Sequence, residues 1–567
     1  GHSITNGGRG DDSTLNLATL APEAQRANAF AYLSFDATPN LKLFVQALAG
    51  QSKIDQPDHA GRFANVAGID TRITIYRENA FLPAAVRQIM VNENLASFQM
   101  NVVGDREGLG RDTRMIQDNK TYSGTTGFQW DITRDGFLNG WQVNGYLQYG
   151  EADNRGYQQG VLLDRIAAAT DAIVDPTNPS RVVCRAATIN PTKWGNCVPL
   201  NLFGRGNASA AAIDYVTKST PGQTITSPLY FQPDGYDSGE TVTFTSSEGK
   251  VYNTHTAQTM AELSTSGKVF DGWAGDIAAA FGVSYRKEEL NQIVYDPSNP
   301  ASDPAIFPAT GDPALRGVPS YTATRSSMVQ NSTIPNVHGT YDVKEAFTEW
   351  QVPLLKELPA IDRLNLLAAA RYAKYQGSGG VWSWKYGLDW DVVKDLRLRG
   401  TVSRDVRAAT LTERYNQTGG VGSVSRDPAF PNDGTQNFSS RSGGNPFLDP
   451  ETSKTYTYGL VYQPGWLQGF SGSVDYWKVD IAGAIGTLGF QRIVDDCFNS
   501  GGAASVCSLI TRDATTNRLS QVRNISQNIA ASAGKGVDVE LGYRHSVSLF
   551  RDGGESLAAR LFWPHLL

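Results

Sequence analysis

The sequence predicts an all-β fold: a large antiparallel up-and-down β-barrel whose strands cross a membrane. Three observations lead there. The first is strict alternation. In Val381–Asp391, Trp382, Trp384, Tyr386, Leu388 and Trp390 point one way, while Ser383, Lys385, Asp389 and Asp391 point the other; a period of two is that of a strand. The second is length. An ordinary globular strand has about 5–6 residues, a bilayer-crossing one roughly 9–11, and these runs fit the longer class. The third is the rhythm of the connections. Short links (Ala37–Asn40, Thr133–Gly140, Val392–Asp395, Pro464–Gly469) alternate with mostly long ones, Gln376–Gly379 being the short exception. In an up-and-down barrel, alternate connections lie at opposite ends, so short turns collect on one side and long loops on the other.

Taken in order, residues 1–27 are polar and Gly-rich. A first hairpin pairs Phe30–Asp36 with Leu41, Leu43, Val45, Ala47 and Ala49. A loop from Gln51 to about Lys120 follows, in which Pro83 suits the first turn of a short helix reaching Met90. Phe128, Trp130 and Ile132 then pair with Trp141, Val143, Leu147 and Tyr149. The longest loop, Glu151 to Tyr252, holds a predicted helix at Val161–Ile173. Strands are expected near Thr254–Gly267 and at Ala274–Lys287. The proline-studded stretch Asp296–Ser320 forbids regular structure. Gly339–Val352 leads into the most regular region: Leu364 to Tyr372, Val381–Asp391, Leu396 to Asp405, and Tyr456 to Tyr462. In Phe470–Ile481 the apolar phase changes, from Val474 and Tyr476 to Trp477, Val479 and Ile481, which predicts a bulge near the mouth. Gly536–Arg544 and Leu557–Trp563 close the series, giving about 14 strands.

Composition narrows the function. The 567 residues carry a net charge of −6 and no Lys/Arg block, which disfavours nucleic acid as a partner. Mean hydropathy is −0.33, and no apolar run reaches the roughly 18 residues of a membrane helix. A barrel strand exposes only every second residue to lipid, so a membrane remains fully compatible. Cys184 lies close to Cys197, and Cys497 to Cys507; neither pair has C-x-x-C spacing or a histidine nearby. Local disulfides clipping surface loops are expected rather than zinc, and with them an oxidising compartment. There is no nucleophile elbow, Walker A sequence or H-E-x-x-H, the six histidines are scattered, and Gly104 to Gly110 does not lead from a strand into a helix. No catalysis, cofactor or metal is expected.

Two motifs remain. Arg407-Ala408-Ala409-Thr410-Leu411-Thr412-Glu413-Arg414-Tyr415 resembles the R-A-P-N-L-x-E-L-F signature of TonB-dependent outer-membrane receptors, departing from it at Ala409 and Thr410. Gly444-Asn445-Pro446-Phe447-Leu448-Asp449-Pro450-Glu451 is similar to that family's G-N-P-x-L-x-P-E. Cys197 to Gly204 is similar to a cysteine-bearing loop common in such receptors. The resemblance runs from about Phe30 to Trp563. It implies residues 1–567 as a partial barrel domain, with about 14 of an expected 22 strands. An N-terminal plug and signal peptide are expected upstream of Gly1, and further strands beyond Leu567.

The resemblance also implies a function: energy-driven passage of a scarce solute across the outer membrane of a Gram-negative bacterium. The solute would be a ferric siderophore, a cobalamin-like molecule or an oligosaccharide. The partners implied are outer-membrane lipid and the TonB–ExbB–ExbD complex, the latter acting through the plug. Polar strand residues (Lys385, Asp389, Arg397, Arg399, Asp538 and Glu540) would line the lumen and pair with one another, or contact the plug. The loop aromatics Trp194, Phe203, Tyr230, Phe231, Tyr236, Phe307 and Phe430 are candidate ligand contacts, because aromatic planes stack on sugars and aromatic chelators; packing of the loops onto each other is the alternative role. Two other functions are open: a passive porin, with a conducting lumen, and a secreted all-β carbohydrate-binding or hydrolytic protein, with a carboxylate pair in a cleft.

Overall fold

The computed structural model describes residues 22–57, 62–63, 65–66, 69–70, 72–103, 114–133, 136–158, 163–204, 206–217, 224–230, 237–245, 250–295, 312–317, 337–415, 417–547 and 555–567. Fourteen strands form one sheet in strict sequence order, every neighbour antiparallel. We number them β1 (Glu23–Thr38), β2 (Leu41–Pro57), β3 (Arg114–Asp131), β4 (Gln142–Gln158), β5 (Lys250–Gly272), β6 (Gly275–Tyr295), β7 (Val337–Leu358), β8 (Ile361–Tyr375), β9 (Gly379–Val393), β10 (Leu396–Arg407), β11 (Glu451–Tyr462), β12 (Phe470–Gly486), β13 (Gln527–Val547) and β14 (Glu555–Leu566). The sheet is open: among the described residues β1 pairs only with β2, and β14 only with β13.

Register shows why the alternation matters. Directly paired residues lie on the same face, and the apolar positions meet strand after strand. Phe35, Leu43, Phe128, Gly145, Leu263, Val283, Ala346, Tyr372 and Trp382 form one unbroken row from β1 to β9. Trp390, Leu398, Leu460, Val474, Val539 and Trp563 form another from β9 to β14. A slip of one residue in any strand would break these rows. No described layer covers this face. Leu147, Leu263, Val283, Tyr386 and Leu388 are each about half exposed, from 48% to 54%.

The opposite face is polar and carries ion pairs between strands. Arg363 and Asp391 are paired at 2.6 Å, Arg399 and Asp475 at 2.7 Å, and Arg371 and Glu345 at 3.4 Å; Arg397 bonds Asp389 through two nitrogens. Asp538 lies opposite Asp475 in register, and Glu540 takes Arg560 at 2.7 Å.

The strands run longer than their apolar stretches. β5 has 23 residues and β6 has 21, because polar alternation extends the ladder beyond the apolar run. The bulge expected in β12 falls further along than the sequence pattern places it. Pairing is regular from Phe470 to Ile481 and slips between Ile481 and Ala484 and again between Ala484 and Ile485. Trp477 and Val479 therefore face the polar side. There the Trp477 ring lies over Gly534 and Gly536, where a β-carbon on Gly536 would stand 2.8 Å from it. The residues on the apolar side at this level are Lys478 and Asp480.

The turns separate by length as expected. Links β1–β2, β3–β4, β5–β6, β7–β8, β9–β10 and β11–β12 are short, while β2–β3, β4–β5, β6–β7, β10–β11 and β12–β13 are long. The two largest buried cores lie in the long loops; a smaller one, of Tyr341, Val343, Ala373 and Tyr375, sits on the polar face of β7 and β8. Of the two loop cores, one gathers Ile73, Ile75, Leu82, Met90, Ile166, Leu200 and Val216 from two loops. Its helices are α1 (Ala84–Asn92), with Pro83 as N-cap, α2 (Leu163–Thr170) and α3 (Ala210–Thr217). The other gathers Val424, Phe438, Ile493, Val494, Leu509 and Val522 beneath a four-stranded sheet.

Candidate functional site at the loop end of the wall

The two motifs, some 40 residues apart in sequence, meet at the loop end of β10 and β11. Arg407 ends β10 and Glu451 opens β11, directly opposite in register. The guanidinium reaches Glu451 through Nε and Nη2 at 2.7 and 2.8 Å, and Glu413 through Nη1 and Nη2 at 2.9 and 3.0 Å. Glu413 sits in a short helix, Leu411–Tyr415, where it also accepts from the Thr410 N–H and hydroxyl, and the Thr410 hydroxyl accepts from the Glu413 N–H. This is a reciprocal capping box, so Thr410 does the turn-making work here. Burial pushes the Glu413 carboxyl up, but Arg407 and the Thr410 donors outweigh it and hold the group below its usual value. Ala408 and Leu411 pack onto a small core of Tyr341, Val343, Ala373 and Tyr375.

The second motif locks to the first through its backbone. Gly444 runs so close to Arg414 and Tyr415 that a β-carbon would stand 2.8 Å from their main-chain atoms, which only glycine allows. The Asn445 N–H donates to the Glu413 carbonyl, and its side chain bonds the Ser526 carbonyl and the Phe447 N–H. Pro446 offers its carbonyl to Arg414; Pro450 leads into Glu451, which also accepts the Ile485 N–H at 2.6 Å.

Arg414 is the residue that motif reasoning missed. It occupies the position where the signature has leucine, yet it is only 1% exposed. Its guanidinium donates to Ser378 Oγ at 2.7 Å and to the carbonyls of Pro446 and Leu448, and it lies over the Tyr341 ring at 5.4 Å. A buried cation on neutral acceptors costs desolvation, which these bonds and the ring face offset in part. Its effect is to tie the β8–β9 turn to the second motif. A sequence marks Arg414 as charged; nothing in it marks the position as buried.

The loop aromatics take diverse places. Trp194 is 3% exposed, packed with Ala168, Ala186 and Ala314, and its Nε1 donates to Asp312 at 3.1 Å. That burial is what packing of the loops onto each other requires. Phe203 is half-buried against the first loop core. Phe430 is half-buried with Arg518 5.5 Å over its ring. Tyr230 ends the strand Thr224–Tyr230. Phe231, Tyr236 and Phe307 lie outside the described residues. Both cysteine pairs are bonded, Cys184–Cys197 and Cys497–Cys507.

A charge cluster that the sequence did not reveal binds three loops together. Asp171, 5% exposed, accepts from Arg185 at 2.7 Å and twice from Arg316 at 2.8 Å; Arg316 also reaches Glu78 at 2.6 Å and lies 3.7 Å over the Tyr76 ring. The β6–β7 loop segment 312–317 is thereby clipped onto the first loop core. Among the described residues no group of His, Cys, Asp and Glu could hold a metal ion.

A family profile described as "TonB dependent receptor-like, beta-barrel" matches residues 91–561, well over half of the chain. A search of curated protein sequences finds no match. Similar solved structures include the siderophore receptor PirA from Acinetobacter baumannii (12% identity, TM-score 0.41, 92% of this chain and 50% of that one). Another is the ferripyoverdine receptor of the outer membrane of Pseudomonas aeruginosa (10%, 0.43, 96% and 49%). A third is the alcaligin outer-membrane receptor FauA from Bordetella pertussis (10%, 0.39, 95% and 54%). The chain spans about half the length of these receptors. On the profile match, the chain belongs to the TonB-dependent receptor-like β-barrel family, transport receptors of the outer membrane of Gram-negative bacteria.

Proposed function

We propose that this chain is the wall, and much of the capture surface, of a receptor that actively carries a scarce solute across the outer membrane. The solute is a ferric siderophore, a cobalamin-like molecule or an oligosaccharide. The family match over residues 91–561 carries this reading. The separation of short turns from long, cross-linked loops supports it, since a capture surface needs its bulky loops on one side of the wall. Loops bind the solute, a plug occupies the polar lumen, and the TonB–ExbB–ExbD complex pulls on that plug. The outer membrane sustains no proton gradient of its own, so the energy comes from the inner one. No step is chemical catalysis. The half-buried aromatics Phe203 and Phe430 are the described side chains proposed for ligand contact, with Tyr230, Phe231, Tyr236 and Phe307 as further candidates.

Uptake by cells with and without the full-length gene tests this, using labelled members of the three ligand classes at nanomolar concentration. One class should accumulate only in cells with the gene, and a protonophore should abolish that accumulation. Gene-dependent uptake that persists with the protonophore would instead make the protein a passive porin.

A further inference from the structure

On the apolar face of the wall, most apolar runs end toward the long loops in charged residues, and their signs are unevenly distributed; β7 and β8 set one like-charge pair, Lys344 against Lys374. On β2 to β5 opposite signs meet in register, Lys53 with Asp118 and Lys120 with Asp153, and Asp153 is hydrogen-bonded to the His255 ring at 2.8 Å. That is the arrangement a sheet favours, because like charges directly opposite destabilise it.

β10 to β13 do the reverse. Arg404 stands two residues beyond Val402, Lys454 two before Tyr456, Lys478 two beyond Tyr476, and Lys535 two before Val537. All four therefore share the face and the level at which the apolar runs end. Arg404 is registered directly against Lys454, and Lys478 directly against Lys535. One carboxylate on this face, Asp480, lies opposite Lys454 and is held by Lys478 at 2.6 Å. Lys454 and Lys535 are exposed. Strands about 4.8 Å apart place the four cations within roughly 15 Å. Trp382, Trp384 and Tyr456 border them on the same face.

We infer that β10–β13 form a docking site for phosphate-bearing lipid headgroups in the outward leaflet, with the apolar run below receiving the acyl chains. The inference rests on the outer-membrane reading above. A polyanion at this level offsets two like-charge cross-strand pairs that Asp480 neutralises only in part, with Arg404 held by the Trp382 carbonyl. Free phosphate would lack the apolar half of the site. A cation near an anionic lipid surface contributes about fivefold in affinity, so three together contribute on the order of a hundredfold.

The test uses the full-length protein in a mild detergent, titrated with diphosphorylated lipid A, with its dephosphorylated form, and with inorganic phosphate. The wild type should prefer the diphosphorylated lipid at least tenfold. The K454Q/K478Q/K535Q variant should lose that preference while keeping its β-sheet circular dichroism, and a K53Q/K120Q control should keep the preference. Equal binding of the two lipids, an unchanged triple variant, or inorganic phosphate competing at micromolar concentration would overturn the site. A protein found in the aqueous fraction without detergent would instead overturn the outer-membrane reading itself.

Discussion

Arg407 shows how much a single position carries. It bridges Glu413 and Glu451, so Arg407→Ala leaves two carboxylates facing each other without their shared donor. The guanidinium is about half exposed, so solvent discounts the loss to about 1–2 kcal/mol. Faster amide exchange across Leu411–Tyr415 and Gly444–Glu451 would register it. Arg407→Lys should not rescue, because a lysine cannot make two forked contacts. Trp194 and Trp466 make a contrasting pair, at 3% and 76% exposed. Trp194→Ala should destabilise the loop cluster it forms with Ala168, Ala186 and Ala314 by about 3–5 kcal/mol, whereas Trp466→Ala should change stability by less than about 0.5 kcal/mol; thermal unfolding distinguishes them. Asp427 supplies the pH dependence. It is fully buried and bonded by Arg512 at 2.7 and 3.0 Å. Burial alone would raise its carboxyl, but Arg512 and the Ala429 N–H hold it below the ordinary value. A folded value below the unfolded one means stability present above about pH 4 and lost as pH falls through the folded value. Amide protection in Gln436–Gly443 and Leu519–Ile525, taken relative to the intrinsic exchange rate at each pH, should therefore fall in acid and be unchanged from pH 6 to 8. At this scale the motif residues were legible because their spacing is fixed. Arg414, Ser378 and Asp171 were not, because burial and partners far along the chain leave no local trace.

The strands were the most legible elements, since a period of two sustained over nine or more residues belongs to a strand and does not fit a helix. Val381–Asp391 lies within β9, and its apolar and polar sets fall on the faces expected. Their ends were less legible, because extensions such as Glu288 to Tyr295 in β6 carry apolar residues (Leu290, Ile293, Val294) without a period of two. In β12 the change of apolar phase misled for a physical reason. Trp477 is accommodated on the polar side by Gly534 and Gly536, so an aromatic there required no bulge. The loop cores were invisible because each is assembled from distant segments: the Leu200 N–H donates to the Ala169 carbonyl, and Asp171 bonds Arg316. The elements make their own prediction. Leu388→Arg places a charge in the middle of the apolar face and should cost about 2–4 kcal/mol in a bilayer, measured by reversible unfolding into lipid vesicles. Asp389→Asn, one residue away on the polar face, should cost far less.

For the molecule as a whole, everything turns on the bare apolar face of the fourteen-stranded wall meeting lipid. No described layer covers it, and the buried cores lie in the loops or, for Tyr341, Val343, Ala373 and Tyr375, on the opposite face of the wall. Spin labels placed singly from 385 to 391 on β9 of the full-length protein in membranes would decide the matter. Oxygen, which partitions into lipid, should relax labels at 386, 388 and 390 most strongly, and a water-soluble nickel chelate should act most strongly at 385 and 389. Labels at 386, 388 and 390 shielded from both reagents would mean a face packed against protein, and the lipid-facing wall would be refuted.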